Sequence, residues 1–347
     1  MSYKIIEIAA LICILLTLGG CKSETDTIQE KTVSCTRDVF AMDTYMDMTA
    51  YGENAEKSLD DAENRILQLE SELSATSETS EIWKIDHSNG NNVKMSDDTA
   101  EVIDQTLKMC EKTYGCLDIT VYPVLKEWGF TTGDYKIPDK TKINKLLNNV
   151  GYSKVKTDSN NIQLANDVQI DLGAVAKGYT GDKILDIMRS YEVESAIVNL
   201  GGNVQTLGKK PDGSDWKVAV RDPFHPETDM CVLEIADKAV ITSGNYERFF
   251  IGEDGRRYCH IIDPFDGYPA DNGYVSVTVI GSSGIICDAL STAVFVAGLD
   301  KASKIMKDFT DYDFIVVSED EKIYYTDGIS EHLKNVSSMP AEVIQID

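Results

Sequence analysis

The decapeptide Ile170–Tyr179, Ile-Asp-Leu-Gly-Ala-Val-Ala-Lys-Gly-Tyr, constrains the fold more than any other stretch of the chain. Its pattern predicts a strand that ends at Leu172, a turn at Gly173 and a helix over about residues 175–191. Exposed amides and a helix dipole at such a turn favour an anion, commonly a phosphate. An ordinary strand-to-helix turn capped by Asp171 explains the same residues, and a single glycine turn does not decide between the two.

Length and charge narrow the class of protein. The 347 residues allow a large core in one domain or two, and the apolar fraction of 42% is typical of a globular chain. A formal net charge of -25 argues against nucleic acid as a partner and against binding to anionic lipid headgroups by charge. Neither an internal repeat nor a linker interrupts residues 36–340. We therefore predict a single catalytic unit over 36–340, mixed α/β (α+β), with largely antiparallel strands and packed helices.

Hydrophobic periodicity predicts the elements of that unit. Helices are predicted over residues 55–73, 97–113, 140–148, 286–297 and 299–309. Strands are predicted over residues 36–51, 196–200, 216–220 and 274–280, and around Val155, Ile162, Phe314 and Ile323. The C-terminal end carries no pattern.

The first 20 residues have the features of a lipoprotein signal peptide. Lys4 precedes an apolar run over residues 8–18, which is too short to span a bilayer. Leu18-Gly19-Gly20-Cys21 resembles a bacterial lipobox, although a plain signal peptide with a chance cysteine is the alternative. We expect cleavage before Cys21, a lipid such as palmitate on that cysteine, and a polar tether over residues 21–35. The protein would then be exported and anchored to the bacterial cell membrane, at the outer face of the cytoplasmic membrane or in the periplasm.

Six cysteines lie beyond the lipobox, and no spacing among them indicates a zinc site. They are Cys35, Cys110, Cys116, Cys231, Cys259 and Cys287. Export permits disulfides, but free thiols fit the sequence equally well.

Three side chains are candidates for metal binding or catalysis. Asp288 and Thr292 stand four residues apart on a predicted helix and therefore share a face, where a carboxylate and a hydroxyl suit a hard cation such as Mg²⁺. Both residues also have a structural explanation that needs no metal: Asp288 would cap the helix, and Thr292 would pack against its neighbours. His260, in a strand-like segment, is a candidate general base, although a single histidine is often structural.

Taken together and in order, seven short motifs resemble those of the bacterial FAD:protein FMN transferases, the ApbE family. They span residues 42–298, about three quarters of the chain, and they are Met42-Asp43-Thr44, Leu117-Asp118-Ile119-Thr120 with Trp128-Gly129-Phe130, Asp171-Leu172-Gly173 with Ala176-Lys177-Gly178-Tyr179, Asn199-Leu200-Gly201-Gly202-Asn203, Thr242-Ser243-Gly244, His260-Ile261-Ile262-Asp263-Pro264, and Asp288-Ala289-Leu290-Ser291-Thr292.

The resemblance implies an activity and a set of roles. Such enzymes take FAD as substrate, use Mg²⁺, and move FMN onto a Thr or Ser hydroxyl of an exported flavoprotein, releasing AMP. The residues that the family pattern places at the FAD are Met42, Cys116, Leu117, Asp118, Asp171, Lys177 and Ile261. The pattern assigns Mg²⁺ to the side chains of Asp288 and Thr292 and to the backbone carbonyl of Ala174. Among these residues His260, which would assist the acceptor hydroxyl, and Asp288 are the predicted catalytic residues.

The chain departs from the family pattern at three positions. Asp43 stands where glycine is common, and Asp266 stands where threonine is usual. Thr76 aligns with a position that commonly carries an aromatic residue in contact with the flavin. None of these departures touches the predicted metal site.

Two other functions fit parts of the sequence. An Mg²⁺-dependent FAD pyrophosphatase, giving FMN and AMP, would use the same site with water in place of the acceptor hydroxyl. A lipid-anchored flavin-binding protein without enzymatic activity would also carry a lipobox. Solute-binding lipoproteins of that kind need two lobes and a hinge, and the sequence shows no such division.

Overall fold

The computed structural model describes residues 33–344, apart from the side chains of residues 299–300. The described residues belong to one compact unit. The predicted signal peptide and nearly all of the predicted tether, with the lipidation site Cys21, lie outside the described residues. Of the helices within the described part of the chain, none is long and apolar enough to cross a membrane.

Strands outnumber helices between residues 33 and 344. In chain order, the strands are β1 (Ser34–Ala41), β2 (Thr44–Tyr51), β3 (Val93–Lys94), β4 (Val155–Asp158), β5 (Asn161–Leu164), β6 (Ser195–Leu200), β7 (Asn203–Leu207), β8 (Trp216–Arg221), β9 (Asp229–Ile235), β10 (Ala239–Gly244), β11 (Phe249–Ile251), β12 (Arg257–Cys259), β13 (Tyr274–Gly281), β14 (Asp313–Ser318), β15 (Ile323–Tyr325), β16 (Leu333–Asn335) and β17 (Ala341–Val343). The α-helices are α1 (Ala55–Leu73), α2 (Glu81–Asp86), α3 (Asp97–Lys112), α4 (Tyr122–Glu127), α5 (Lys140–Leu147), α6 (Ala176–Ser190) and α7 (Gly284–Lys307). Short 3₁₀ turns occupy Ile119–Val121, Tyr152–Lys154 and Asp327–Ile329.

A nine-stranded sheet forms the centre of the fold, in the spatial order β1-β2-β6-β7-β10-β13-β14-β15-β17. Its neighbouring strands run antiparallel, except that β15 and β17 are parallel. Smaller sheets are formed by β16-β9-β8, by β3-β5-β4 and by the hairpin β11-β12. The predicted fold class, a mixed α/β unit with largely antiparallel strands, is therefore confirmed.

Helices cover one face of the nine-stranded sheet, and the sheet β16-β9-β8 covers the other. Leu59 and Ile66 of α1 and Met188 of α6 belong to one apolar cluster with β1, β2 and β6, and α7 packs on β10 and β13 in a second. On the opposite face, Val240 and Ile280 belong to a cluster with β8 and β9. Strand β13 is buried at every position, because both layers cover it.

The predicted strand over residues 36–51 is in fact the hairpin of β1 and β2, joined by the two-residue turn Met42-Asp43. Both turn residues have positive φ, 50° for Met42 and 59° for Asp43, as in a type I′ turn. Glycine adopts this conformation without steric cost, which gives a physical reason for the glycine expected at position 43. The Met42 amide donates a hydrogen bond to Glu70 Oε1 on α1 (2.7 Å) and so fixes the turn.

The predicted strand that ends at Leu172 is wrong, because this segment pairs with no other strand. Isolated contacts hold it instead. The Asp171 amide donates to the Ile119 carbonyl (2.9 Å), and the Ile170 amide donates to Asp86 Oδ1 (2.8 Å). The following helix, α6, begins one residue later and ends one residue earlier than predicted.

The helix predictions are otherwise close. Helix α1 matches residue for residue, and α3 and α5 each end one residue early. Helix α7 begins at Gly284 rather than at residue 286, and non-helical Gly298 (φ 66°, ψ 172°) divides it into the two predicted parts. The unpatterned C-terminal end contains β16 and β17, which were not predicted.

Helices α6 and α7 approach each other closely at a pair of glycines. A Cβ on Gly178 would overlap the carbonyl group of Gly284 and lie 2.8 Å from Asp288 Cβ. A Cβ on Gly284 would lie 2.5 Å from the Gly178 carbonyl oxygen. The side chain of Gln205 on β7 donates to that same oxygen at 3.0 Å. No larger residue fits at this crossing without separating the helices.

We predict that Gly178→Ala destabilises the protein, since the added methyl group meets backbone rather than a flexible side chain. Overpacking of this kind costs about 1–3 kcal/mol, and thermal unfolding followed by circular dichroism measures it. Asp186→Ala, at an exposed position of the same helix, is the control and should change stability by less than about 0.5 kcal/mol. Equal stability of Gly178→Ala and the parent protein would contradict the close helix contact.

Candidate active site

One cleft, with a volume of about 520 Å³, gathers residues that are far apart in the chain. It lies where the start of α6, the first turns of α7 and the ends of β10 and β12 meet. Every predicted site residue in the described part of the chain lines this cleft: Met42, Cys116, Leu117, Asp118, Asp171, Ala174, Lys177, His260, Ile261, Asp288 and Thr292.

The Asp288 carboxylate joins the two central helices inside the cleft. Its side chain is buried, and its Oδ2 accepts the amide N–H of Gly178 at 2.9 Å. Burial raises the pKa of Asp288 above its ordinary value, while Lys177 and the Gly178 amide oppose that rise. A buried carboxylate in these surroundings is stabilised by a nearby cation.

Hydroxyl groups surround this carboxylate. Thr292 lies one helical turn beyond Asp288 and also lines the cleft. Its Oγ1 is 3.3 Å from Ser243 Oγ on β10, and Ser243 Oγ is 2.8 Å from Ser291 Oγ. The cleft wall also includes Ala174, whose carbonyl is a predicted ligand.

This donor set fits Mg²⁺. Carboxylate, hydroxyl and carbonyl oxygens are the ligands that Mg²⁺ prefers, and it commonly takes only one or two carboxylates together with substrate phosphates. Within residues 33–344, no group of three or more His, Cys, Asp or Glu residues is placed to hold a metal. A metal bound at Asp288 and Thr292 would take its remaining ligands from the Ala174 carbonyl, water or oxygen atoms of the substrate.

The turn before α6 lies on the neighbouring wall. The Gly173 amide donates to Asp171 Oδ2 at 3.0 Å, and Val175, the residue before α6, makes no side-chain cap. Within the first turn of α6, the Ala176 amide donates to the Leu172 carbonyl and the Gly178 amide donates to Asp288. Burial raises the pKa of Asp171, and the Gly173 hydrogen bond, Arg248 and Lys177 lower it. Asp171 therefore caps its own turn rather than the helix, and the positive end of the helix dipole and the Lys177 side chain are available to an anion.

The remaining part of the cleft wall is apolar. It is lined by Met42, Cys116, Leu117, Ile119, Val121, Leu125, Ile261, Ile262 and Pro264. Among the described residues that line the cleft, none is Phe, Tyr or Trp, and Thr76 is not part of the wall. A flat apolar ring bound here would contact aliphatic and sulfur-containing side chains.

Asp118 lines the cleft, but the hydrogen bonds of its carboxylate are made within the protein. Oδ1 accepts from the amide (2.9 Å) and the hydroxyl (2.6 Å) of Thr120, and Oδ2 accepts from the Tyr152 amide (2.8 Å). Asp118 thus holds two loops together at the edge of the cleft. Burial raises the pKa of the nearby Cys116 thiol, which keeps it protonated.

His260 follows β12 and faces the same cavity. Its Nδ1 is 3.3 Å from the carbonyl oxygen of Arg248. Burial, followed by the charge of Arg248, lowers the pKa of His260 to about 4. The imidazole is therefore neutral at pH 7 and has a nitrogen free to accept a proton.

The structure adds residues that the sequence argument did not assign. Asn203 is 4% exposed in the cleft wall, beside Asp288, where its side chain opposes the rise in the pKa of that carboxylate. Arg248 and Glu247 also line the cleft, and Arg248 donates to the Phe130 carbonyl at 3.1 Å. Glu247 and Arg248 stand three and four residues after the motif Thr242-Ser243-Gly244, and Asn203 is the last residue of the motif Asn199-Leu200-Gly201-Gly202-Asn203, so the motifs were the available signal for them.

A family model described as the ApbE family matches residues 42–316. The chain belongs to the ApbE family. The resemblance drawn from the sequence motifs is thereby confirmed, and the match spans every described element that contributes to the cleft.

Relatives in this family carry the name FAD:protein FMN transferase. One from Treponema pallidum is 28% identical over 94% of this chain and 95% of its own length. Another, from Klebsiella pneumoniae, is 31% identical over 75% of this chain and 83% of its own length. The chain thus spans most of each relative.

Solved structures of the ApbE family share the fold. The ApbE protein from Thermotoga maritima superposes with a TM-score of 0.81 and 32% identity, covering 86% of this chain and 99% of that one. The apo form of the flavinyl transferase ApbE from Pseudomonas stutzeri gives a TM-score of 0.74 and 27% identity, covering 84% and 93%. The mixed architecture described above is therefore the ApbE fold.

No disulfide joins the cysteines of residues 33–344. The six cysteines between residues 33 and 344 are all free thiols, and five of them are buried.

We predict that His260 titrates near pH 4 rather than near its ordinary value, and NMR of the imidazole signals measures this, with His260→Gln to assign them. Arg248→Met should raise the pKa of His260, because it removes the positive charge that disfavours imidazolium. Arg257→Met removes an exposed charge of the same kind and should leave the titration unchanged. A midpoint at about 6.5 in the parent protein would contradict the burial of this side chain.

Proposed function

We propose that this chain is an Mg²⁺-dependent FAD:protein FMN transferase, anchored to the cell membrane by a lipid on Cys21. The observation that carries the proposal is the meeting of the Asp288 and Thr292 oxygen atoms, the start of α6 with Lys177, and an apolar wall in one cleft. FAD has a pyrophosphate joined to a flat apolar ring, and these walls are complementary to both parts. Family membership supports the same activity.

Each part of the wall has a task in positioning FAD. The apolar residues that include Met42, Leu117 and Ile261 would bury the isoalloxazine ring. The pyrophosphate would lie at the start of α6, where backbone amides and Lys177 offset its negative charge. Asn203, beside Asp288, would donate its Nδ2–H to that carboxylate or to a phosphate oxygen. Placement of this kind supplies most of the catalysis in phosphoryl transfer.

Asp288, Thr292 and the Ala174 carbonyl would hold Mg²⁺, which would offset the charge that develops on the leaving AMP. In the transfer, a bond forms between the FMN phosphorus and the oxygen of an acceptor Thr or Ser, and the phosphorus–oxygen bond to AMP breaks. His260, neutral at pH 7, would accept the proton that leaves the acceptor hydroxyl. Water in place of that hydroxyl would give FAD hydrolysis in the same cleft.

The decisive experiment combines the purified full chain in detergent with FAD, Mg²⁺ and a candidate exported flavoprotein. Mass spectrometry of the acceptor detects added FMN, and chromatography detects AMP. FMN on the acceptor with release of AMP is expected. FMN and AMP with an unmodified acceptor would identify a pyrophosphatase, and bound but unchanged FAD would contradict an enzymatic role.

We predict that Asp288→Asn lowers the transfer rate by about 10³-fold, because loss of a metal-held charge is worth several kcal/mol in the transition state. The variant keeps the size of the side chain and an oxygen for the Gly178 amide, so its melting temperature should stay close to that of the parent. Asp186→Asn, at an exposed site on α6, is the control and should retain full activity. Undiminished Mg²⁺-dependent transfer in Asp288→Asn would exclude the proposed metal site.

We further predict that Cys21→Ala moves the protein from the membrane fraction to the soluble fraction of the cell. The variant has no cysteine thiol at position 21 to carry the lipid. A net charge of -25 also gives the protein no attraction to anionic lipids. Immunoblotting of fractionated cells measures the distribution, with Cys35→Ala as the matched control. Membrane association that survives in Cys21→Ala would exclude the lipid anchor.

A further inference from the structure

Two cationic side chains belong to the cleft wall, Lys177 and Arg248. None of the ion pairs within residues 33–344 includes either of them. The chain has 58 acidic and only 33 basic residues, so two cations without an acidic partner in one cleft need an explanation. Lys177 has a task at the pyrophosphate of FAD, whereas Arg248 has none so far.

The hairpin of β11 and β12 holds Arg248 opposite His260. Phe249 pairs with Cys259 at this end of the hairpin, and the next two residues in register are Arg248 and His260. The His260 amide donates to the Arg248 carbonyl at 3.0 Å, which continues the pairing by one step. Residues directly opposite each other in an antiparallel pair have their side chains on the same face, and both of these residues line the cleft.

The guanidinium of Arg248 is anchored at one edge. One of its Nη atoms donates to the Phe130 carbonyl oxygen at 3.1 Å. The Phe130 ring is buried and makes an edge-to-face contact with the His260 imidazole, with the centroids 6.4 Å apart. A guanidinium carries several N–H donors in a fixed plane, so one hydrogen bond orients the group and leaves donors for an oxyanion.

The two cations lie towards different ends of the site. After burial, Arg248 contributes most to lowering the pKa of His260, whereas Lys177 is the charge that opposes the rise in the pKa of Asp288. Arg248 also opposes the rise that burial gives to the pKa of Asp171, in the turn before α6. Since such effects weaken with distance, Arg248 lies between the proposed base and the start of the helix.

We propose that Arg248 is a catalytic residue that donates hydrogen bonds to the non-bridging oxygens of the FMN phosphate during the transfer. This inference rests on the proposed transferase function. The attacking and leaving oxygens of a phosphoryl transfer lie roughly in line. The acceptor hydroxyl therefore approaches the phosphorus from the side of His260, and AMP leaves on the side of Asp288.

The transition state explains why a cation is needed beside the base. Negative charge spreads over the non-bridging oxygens of the phosphoryl group as the bond to the acceptor forms and the bond to AMP breaks. A fixed guanidinium next to His260 would offset that charge at the point where it develops. Arg248 transfers no proton, because a guanidinium stays protonated in proteins, and the hydroxyl proton passes to His260.

The first test measures binding without turnover. Riboflavin and FMN differ only by the phosphate, and quenching of flavin fluorescence gives a dissociation constant for each with the full chain in detergent and Mg²⁺. We expect the parent to bind FMN more tightly than riboflavin. Arg248→Met should weaken FMN binding by about tenfold, the loss of a hydrogen bond to a charged group, and leave riboflavin binding unchanged. An equal loss for both ligands, or a loss for neither, would overturn the phosphate contact.

The second test separates this role from the effect of Arg248 on His260. Transfer of FMN is measured at pH 8, where His260 is neutral even at its ordinary pKa of about 6.5. We expect Arg248→Met to lower kcat by about 10³-fold, as for arginines that stabilise a phosphoryl transition state. Guanidinium ions added to Arg248→Ala should restore part of the rate. A kcat at pH 8 equal to that of the parent would show that Arg248 acts only through His260 and would overturn the proposal.

Arg257→Met is the matched control, because Arg257 lies on β12 of the same hairpin and does not line the cleft. It should keep the kcat of the parent and the preference for FMN over riboflavin. Arg248→Lys keeps a positive charge and most of the side-chain length, which guards against a loss through misfolding. Because lysine lacks the planar fork, its kcat should lie between those of Arg248→Met and the parent.

Failure of this inference differs from failure of the transferase function. Transfer of FMN by the parent and equally by Arg248→Met would overturn the inference alone. FAD hydrolysis by the parent without FMN on any acceptor would overturn the transferase function. The comparison of FMN with riboflavin would then still decide whether Arg248 contacts the phosphate.

Discussion

The contact between α6 and α7 is the constraint on which the site depends. The two helices approach so closely at Gly178 and Gly284 that the Gly178 amide reaches the Asp288 carboxylate. The same approach places the start of α6 beside the oxygen atoms of Asp288 and Thr292. The helix start proposed for the pyrophosphate and the oxygen ligands proposed for Mg²⁺ thus become neighbours because of a packing contact. Neither helix alone provides the site.

The electrostatics of the cleft differ from those of the protein as a whole. The chain carries a net charge of -25, yet Lys177 and Arg248 both lie in the cleft wall close to Asp171, Asp288 and His260. Lys177 opposes the rise that burial gives to the pKa values of Asp171 and Asp288, Arg248 does the same for Asp171, and both cations lower the pKa of His260. They therefore favour ionised carboxylates and a neutral imidazole at the same pH, which is the combination that cation binding and proton acceptance require.

The sequence predicted the members of the site better than the elements that carry them. Asp288 and Thr292 share a helix face by spacing alone, and α1 has an apolar stripe that makes its limits readable. Strands β16 and β17 carry no local pattern, and only pairing with β9 and β15 makes them strands. The segment before α6 alternates like a strand, with Ile170 and Leu172 buried, but its amides bond to Ile119 and Asp86 rather than to a neighbouring strand. Asn203 stands in a sequence motif and Arg248 lies just after one, but their place in the cleft wall depends on tertiary packing.

The strand order of the central sheet has a consequence for how the chain folds. Strand β2 pairs with β1 on one side and with β6 on the other. Strand β6 begins at Ser195, well over a hundred residues after β2 ends at Tyr51. Strand β13, buried on both faces, joins β10 to β14 and lies beyond residue 270. The hairpin that carries Met42 is therefore made of local contacts, whereas its place in the sheet depends on a segment more than a hundred residues away. Pairings of such long sequence separation close slowly, so the cleft, which needs both, depends on the slowest class of contact in the fold.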